Sequence, residues 1–235
     1  MQETGNNINT QSLSIRFSAG GFSFFSNESS KEFKFSHSDD GFARCRAICL
    51  CEAEIWKDYK SVTAEIDDEV SSLFPSGLFG NEDCERIMRF NYPSLDLNRF
   101  YISQQYIEGF DITNIFAVNK ELEAFLKEYF PYATITHTSS AIIENALKSS
   151  RKEGITEVWA KETTAALYVA VAENGSLILS NRYSVSNKND ILYYIGALYA
   201  NLKLSQQSTP LFICGEDSTV KLLRERVAKC QSVSI

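Results

Sequence analysis

Residues 155–185 read ITEVWAKETTAALYVAVAENGSLILSNRYSV, and the order of structure in this stretch decides the fold. Residues 157–161 read as a strand, 165–172 as a second and 176–185 as a third, each carrying the β-branched and aromatic residues that suit a sheet. Asn174-Gly175 joins the last two strands. That pair accepts the left-handed backbone a two-residue hairpin demands. Residues 190–202 then read as a helix, with Ile191, Ile195, Leu198 and Leu202 on one face. An apolar strand follows at 209–214 and ends at Gly215. A helix at 218–229 turns Val220, Leu223 and Val227 inward, and residues 232–235 make a last short strand. Three strands in a meander, then helix, strand, helix, strand, call for parallel crossovers beside an antiparallel edge.

Working outward, the first half starts the same way. Residues 13–18 alternate Leu13, Ile15 and Phe17 with Ser14, Arg16 and Ser18, the period of a half-buried strand. Ala19-Gly20-Gly21 supplies a tight turn into strands at 22–25 and 32–35. A helix is expected over 43–59, with Ile48, Glu52, Ile55 and Tyr59 at helical spacing, and a strand over 61–66. Pro75 suits the first turn of a short helix within 70–79. A short helix is expected over 83–90 and a strand over 98–107. Residues 112–118 form a short apolar strand, and Asn119 caps a helix bearing Leu122, Phe125, Leu126 and Tyr129, which Pro131 ends. Residues 133–137 form a strand, and Ser139 or Ser140 caps a helix carrying Ile142, Ile143, Ala146 and Leu147.

Both halves thus open as ribonuclease H-like units, and two such units in tandem are the organisation of the actin-like ATPases. The expected fold is α/β: mixed sheets with helices on both faces, arranged as two lobes. The polar segment Ser149–Gly154 carries no core residue and marks a boundary. The expected division is a frayed tail at 1–11, a first lobe at 12–152 and a second at 153–235.

Composition limits the function. Hydrophobic residues make up 44% of the 235, enough for a sizeable core. The formal net charge is −7 and no Lys/Arg run exists, which speaks against nucleic acid and against anionic membranes as partners. No apolar stretch approaches the ~20 residues that span a bilayer. Residues 1–11 lack the charged leader and apolar core of a secretion signal, so a cytoplasmic setting is expected. Cys45, Cys49, Cys51, Cys84, Cys214 and Cys230 match no zinc spacing and read as reduced intracellular thiols; no metal is expected.

Four segments carry a resemblance to a known family: Leu13-Ser14-Ile15-Arg16-Phe17 with Gly21-Phe22-Ser23-Phe24; Leu73-Phe74-Pro75-Ser76-Gly77-Leu78-Phe79; Gly175 to Tyr183 followed by Asp190-Ile191-Leu192-Tyr193-Tyr194; and Phe212-Ile213-Cys214-Gly215. In this order they resemble an uncharacterised bacterial, Bacteroides-type domain-of-unknown-function family with an actin-like ATPase fold. The resemblance implies that fold and no established activity.

ATPases of this fold place Asp, Gly and a hydroxyl at the first hairpin of each lobe, where backbone N–H groups meet phosphates. Here the first turn, Ser18-Ala19-Gly20-Gly21, has no carboxylate. The second, Glu162-Thr163-Thr164, has no glycine, and without one a close phosphate cradle is not expected. The adenosine turn keeps Gly215, with Glu216 where a second glycine would stand. Gly215 has a simpler reading as the turn from strand to helix.

Other chemistries are weaker still. Glu162, Asp190 and Asp217 could outline a two-metal nuclease, but Asp190 and Asp217 also suit helix starts. His37 and His137 accompany no Gly-x-Ser-x-Gly elbow, and His137 reads as a packed or capping imidazole. Tyr193, Tyr194 and Tyr199 exceed what one helix face can bury and offer a partner surface. The expectation is a non-catalytic interaction or scaffold module with a protein partner and no cofactor. The alternative is a divergent nucleotide-binding protein taking ATP and magnesium between the lobes, through Ser18, Gly20, Gly21, Glu162, Thr163, Thr164, Gly215 and Glu216.

Overall fold

The computed structural model describes residues 12–18, 21–26, 30–34, 41–51, 59 and 61–235. In chain order the elements are β1 (Ser12–Ser18), β2 (Gly21–Ser26), β3 (Ser30–Lys34), α1 (Gly41–Cys51), β4 (Ser61–Asp67), β5 (Ser71–Pro75), α2 (Asn81–Asn91), β6 (Phe100–Ile107) and β7 (Ile112–Asn119). They continue with α3 (Lys120–Tyr129), β8 (Thr134–His137), α4 (Thr138–Glu153), β9 (Thr156–Glu162), β10 (Ala166–Glu173), β11 (Ser176–Ser184), α5 (Lys188–Asn201), β12 (Leu211–Cys214), α6 (Asp217–Arg224) and β13 (Cys230–Ser232). The expected tail at 1–11, the turn residues Ala19 and Gly20, and residues 52–58 of the expected long helix lie outside the described residues.

The chain divides into two compact units, each assembled from separated segments. One takes residues up to 68 with 95–101 and 117–136; the other takes 69–94, 102–116 and 137–235. In the first unit the sheet order is β3-β2-β1-β4-β8, with β1, β2 and β3 antiparallel and β4 parallel to β1. The alternation of β1 sends Leu13, Ile15 and Phe17 inward, all less than a tenth exposed. Phe22 stacks on Phe33 with ring centroids 5.0 Å apart, and Phe17 meets Phe125 of α3 edge-on at 6.1 Å. On the opposite face Arg16 donates to Glu65 at 3.1 Å, across the β1–β4 register.

The second unit holds the sheet β11-β10-β9-β12-β13, in which β9–β11 form the antiparallel meander and β12 and β13 are parallel. Asn174 (φ 48°) and Gly175 (φ 78°) make the left-handed pair of the expected hairpin. One face packs Val158, Ala160, Leu167, Val169 and Val171 against Ile191, Ile195 and Leu198 of α5 and Leu223 of α6. The other packs Trp159, Ala166, Tyr168, Ala170 and Ala172 against Ile142, Ile143, Ala146 and Leu147 of α4. Strands β5-β7-β6 form a third sheet.

Three local expectations change. Pro75 ends strand β5, where it pairs with Ile112, and opens no helix. β5 is an edge strand, so a residue without an N–H costs no ladder bond on the outer side. The cap of α4 is His137, not Ser139 or Ser140: its Nδ1 accepts from the Ser139 amide at 3.2 Å. The last helix is shorter than read, ending at Arg224, and the final strand begins at Cys230. Asn119 caps α3 as expected, its side chain accepting from the Glu121 amide at 2.8 Å.

Candidate functional site

The alternative, nucleotide-binding reading of the sequence falls on three turns, each of which is described within its own unit. In the β1–β2 hairpin the Ser18 hydroxyl donates to the Gly21 carbonyl at 3.2 Å. A Cβ on Gly21 would stand 2.1 Å from the Phe33 carbonyl oxygen of β3. Glycine is needed there so that three strands can pack edge to edge, and no ligand is required to explain it. Gly20 lies outside the described residues.

In the β9–β10 turn, both the amide and the hydroxyl of Thr163 donate to the Ala166 carbonyl, at 2.8 and 3.3 Å. A phosphate cradle needs such amides pointing at the ligand. This one closes its own turn, and Thr163 is buried while Thr164 is exposed.

The third turn depends on the second. β9 and β12 run parallel with Lys161 opposite Cys214, so Glu162 comes beside Gly215. Its Oε2 accepts from the Glu216 amide at 2.9 Å and its Oε1 from the Thr219 hydroxyl at 2.9 Å. Glu216 occupies the cap position of α6 but makes no side-chain cap. Glu162 therefore supplies the anion that a helix start attracts. A Cβ on Gly215 would lie 2.6 Å from Glu162 Oε2 and 3.0 Å from its Cβ. Glu216 pairs outward with Lys188 at 2.8 Å, and that hydrogen bond holds its carboxyl below the usual range.

The Glu216 amide does not face open space, because the Glu162 carboxylate holds it. Nor do the acidic residues gather a metal: among the described residues no group of three His, Cys, Asp or Glu is placed to hold one. Asp190 instead completes a capping box at α5, accepting from the Ser186 and Asn187 amides at 2.7 and 3.2 Å.

The structure shows a feature that the sequence reading missed. A cavity of about 350 Å³ opens in the second unit. Arg182, Ser180 and Ser184 of β11, Tyr168 of β10, Ser139 of α4 and Glu69 line it, among others. Its origin is a β-bulge. Ala172 pairs with Leu177 but Val171 pairs with Leu179, so Ile178 is the extra residue. A bulge re-aims every side chain beyond it. Here Leu179 and Tyr183 pack toward the α5 face. Ser180, Arg182 and Ser184 turn to the face of Ala170, Tyr168 and Ala166, with which they pair. The signal in the sequence is the Ser-x-Arg-x-Ser alternation at 180–184, opposite Ala-x-Tyr-x-Ala at 166–170.

Behind the cavity wall lies a polar knot. Ser139 Oγ is 2.7 Å from His137 Nδ1, and the fully buried Asn114 amide donates to Ser139 and Ser140 at 3.0 and 2.9 Å. His137 is 1% exposed between the rings of Phe116 and Tyr168, a capping imidazole as read.

A meander sheet with parallel crossovers in one unit, and a second sheet of the same opening order in the other, defines a protein of actin-like ATPase fold. Comparison with solved structures agrees. A Bacteroides thetaiotaomicron protein with actin-like ATPase fold and unknown function is 21% identical, with a TM-score of 0.74 over 95% of this chain and 91% of that one. The PilM-PilN type IV pilus biogenesis complex is 11% identical, with a TM-score of 0.52 over 95% of this chain and 88% of that one. No curated protein matches the sequence. Residues 2–229 match the family described as protein of unknown function (DUF3822), and the chain belongs to that family.

Proposed function

We propose that this chain is a non-catalytic module, an actin-like fold kept as a scaffold for a protein partner in the bacterial cytoplasm. One observation carries the reading. The Glu162 carboxylate sits on the Gly215-Glu216 turn and satisfies the start of α6 from within, which makes an internal anion stand where a nucleotide would be drawn in. The glycines retained at these turns are explained by Phe33 and Glu162, with no ligand.

Support for a protein partner comes from the tyrosines of α5. Tyr199 is buried, Tyr194 stacks on Tyr183 at 4.4 Å, and Tyr193 is left 70% exposed above them. Exposed Tyr on a rigid base is favoured at interfaces. The similar PilM-PilN structure is a complex and lends only the point that this fold can serve in an assembly. The free thiols of Cys49, Cys51, Cys84, Cys214 and Cys230 accord with a reducing compartment, and no helix among the described residues is long and apolar enough to cross a membrane.

Thermal-shift titration with ATP and magnesium tests the reading. A ligand at a hundred times its Kd adds about 2.7 kcal/mol, which moves Tm by roughly 5–10 °C in a chain of this length. The expected result is no saturable shift at millimolar nucleotide. A saturable rise of that size, abolished by Gly215→Glu, overturns the proposal.

A further inference from the structure

The geometry points to the cavity behind β11 as a binding site for a small oxyanion, a carboxylate or a phosphate monoester, held by Arg182. The site is independent of the turns discussed above. Its central observation is the guanidinium of Arg182. The side chain is only 22% exposed. Its Nε donates to the Tyr168 hydroxyl at 3.2 Å, which fixes the plane of the group. Arg182 makes one ion pair to a described residue, from Nη1 to Glu69 Oε2 at 3.6 Å, beyond hydrogen-bond distance, and the Glu69 side chain is 75% exposed. The two terminal nitrogens therefore make no hydrogen bond to a described residue, although they carry the donor fork that matches an oxyanion with two parallel bonds. A half-buried cation with an unsatisfied fork is costly unless a ligand or water completes it.

Glu69 is the one carboxylate of the lining, which also carries the hydroxyls of Ser71, Ser139, Ser180 and Ser184, each able to donate to an oxyanion. Building this row took a bulge at Ile178, which turns three polar residues onto a face whose neighbours are alanines and a tyrosine. Bulges recur where a side chain must be re-aimed for function. The volume corresponds to about a dozen waters at ~30 Å³ each, which suits a small metabolite.

Calorimetric titration of the full chain with inorganic phosphate and, separately, with succinate tests the site at low ionic strength. Saturable binding of either probe is expected, phosphate alone or succinate alone identifying which oxyanion chemistry the site prefers. Arg182→Gln is expected to weaken binding at least ~10-fold, equivalent to 1.4 kcal/mol. Glu69→Gln, at an exposed side chain that leaves the fold intact, removes the competing carboxylate and is expected to tighten binding several-fold. Absence of saturable binding of both probes to the native chain overturns the proposal. So does unchanged affinity in Arg182→Gln, and so does a loss of affinity in Glu69→Gln, which would show that the ligand brings a cation to Glu69.

Discussion

The two faces of the β11-β10-β9-β12-β13 sheet are built from the same strands and behave differently. Toward α5 and α6 the strands pack an apolar cluster that runs from Val158 to Cys230, with Thr219 of α6 a buried hydroxyl beside it. Toward α4 the same strands bury Glu157 and Lys161 at 1% and 2% exposure, with Glu157 accepting from the Trp159 indole at 3.0 Å. They then open into the Arg182 cavity. The first face holds the fold together by area removed from water, and the second trades some of that area for hydrogen-bonded polar groups. The small-ligand site proposed at Arg182 belongs to the second face.

The largest effect expected from this contrast is on the closed face. Leu167→Ala deletes a fully buried side chain there and is expected to cost about 2–5 kcal/mol in urea unfolding. Ser180→Ala, on the neighbouring strand but facing the cavity, is expected to stay within about 0.5 kcal/mol. Equal costs for the two would break the contrast.

A smaller effect is expected at the Gly215 turn. Gly215→Ala places a Cβ against Glu162 and is expected to cost about 1–3 kcal/mol. In a Glu162→Ala background the obstacle is gone, so the cost of the same change is expected to fall by at least ~1 kcal/mol in a double-mutant cycle. No coupling would mean that Gly215 is required by the turn alone.

These residues also show what could be read beforehand. The meander at 156–184 was legible because its strands are bounded by a turn pair, Asn174-Gly175, whose backbone demand is local. Pro75 was misread because the rule for a helix start is local too, while its strand pairing is made with Ile112, far along the chain. The reason for Gly215 is a carboxylate 53 positions earlier, brought beside it by the parallel pairing of β9 and β12. The cavity escaped because the bulge at Ile178 changes the face of every residue after it. Without the bulge, Ser180, Arg182 and Ser184 read as the solvent side of an edge strand.

The smallest effect sharpens the contrast through pH. Tyr199 projects into the closed face and its hydroxyl donates to the Thr209 carbonyl at 3.1 Å. Burial, and then the neighbouring Cys230 thiol, push its phenol well above the ordinary value. An unfolded chain releases this proton near pH ~10, whereas the folded chain retains it. The unfolded state then binds fewer protons, so stability falls as pH rises above that point, by up to ~1.4 kcal/mol per pH unit for one such group. The contribution is complete below pH ~10 and has no acid limb. Tyr101, in the other unit, is pushed up to about 12 by burial and by Glu123, so part of the alkaline decline remains when Tyr199 is removed. Tyr199→Phe is therefore expected to cost about 1 kcal/mol at neutral pH, from the lost hydrogen bond, and to flatten the decline above pH ~10 without abolishing it. Tyr193→Phe alters a side chain that is 70% exposed on the same helix, and its stability curve is expected to overlay that of the native chain across the whole range. A native-like alkaline slope in Tyr199→Phe would show that water reaches the phenol, and the α5 face would then be no drier than the face that carries Arg182.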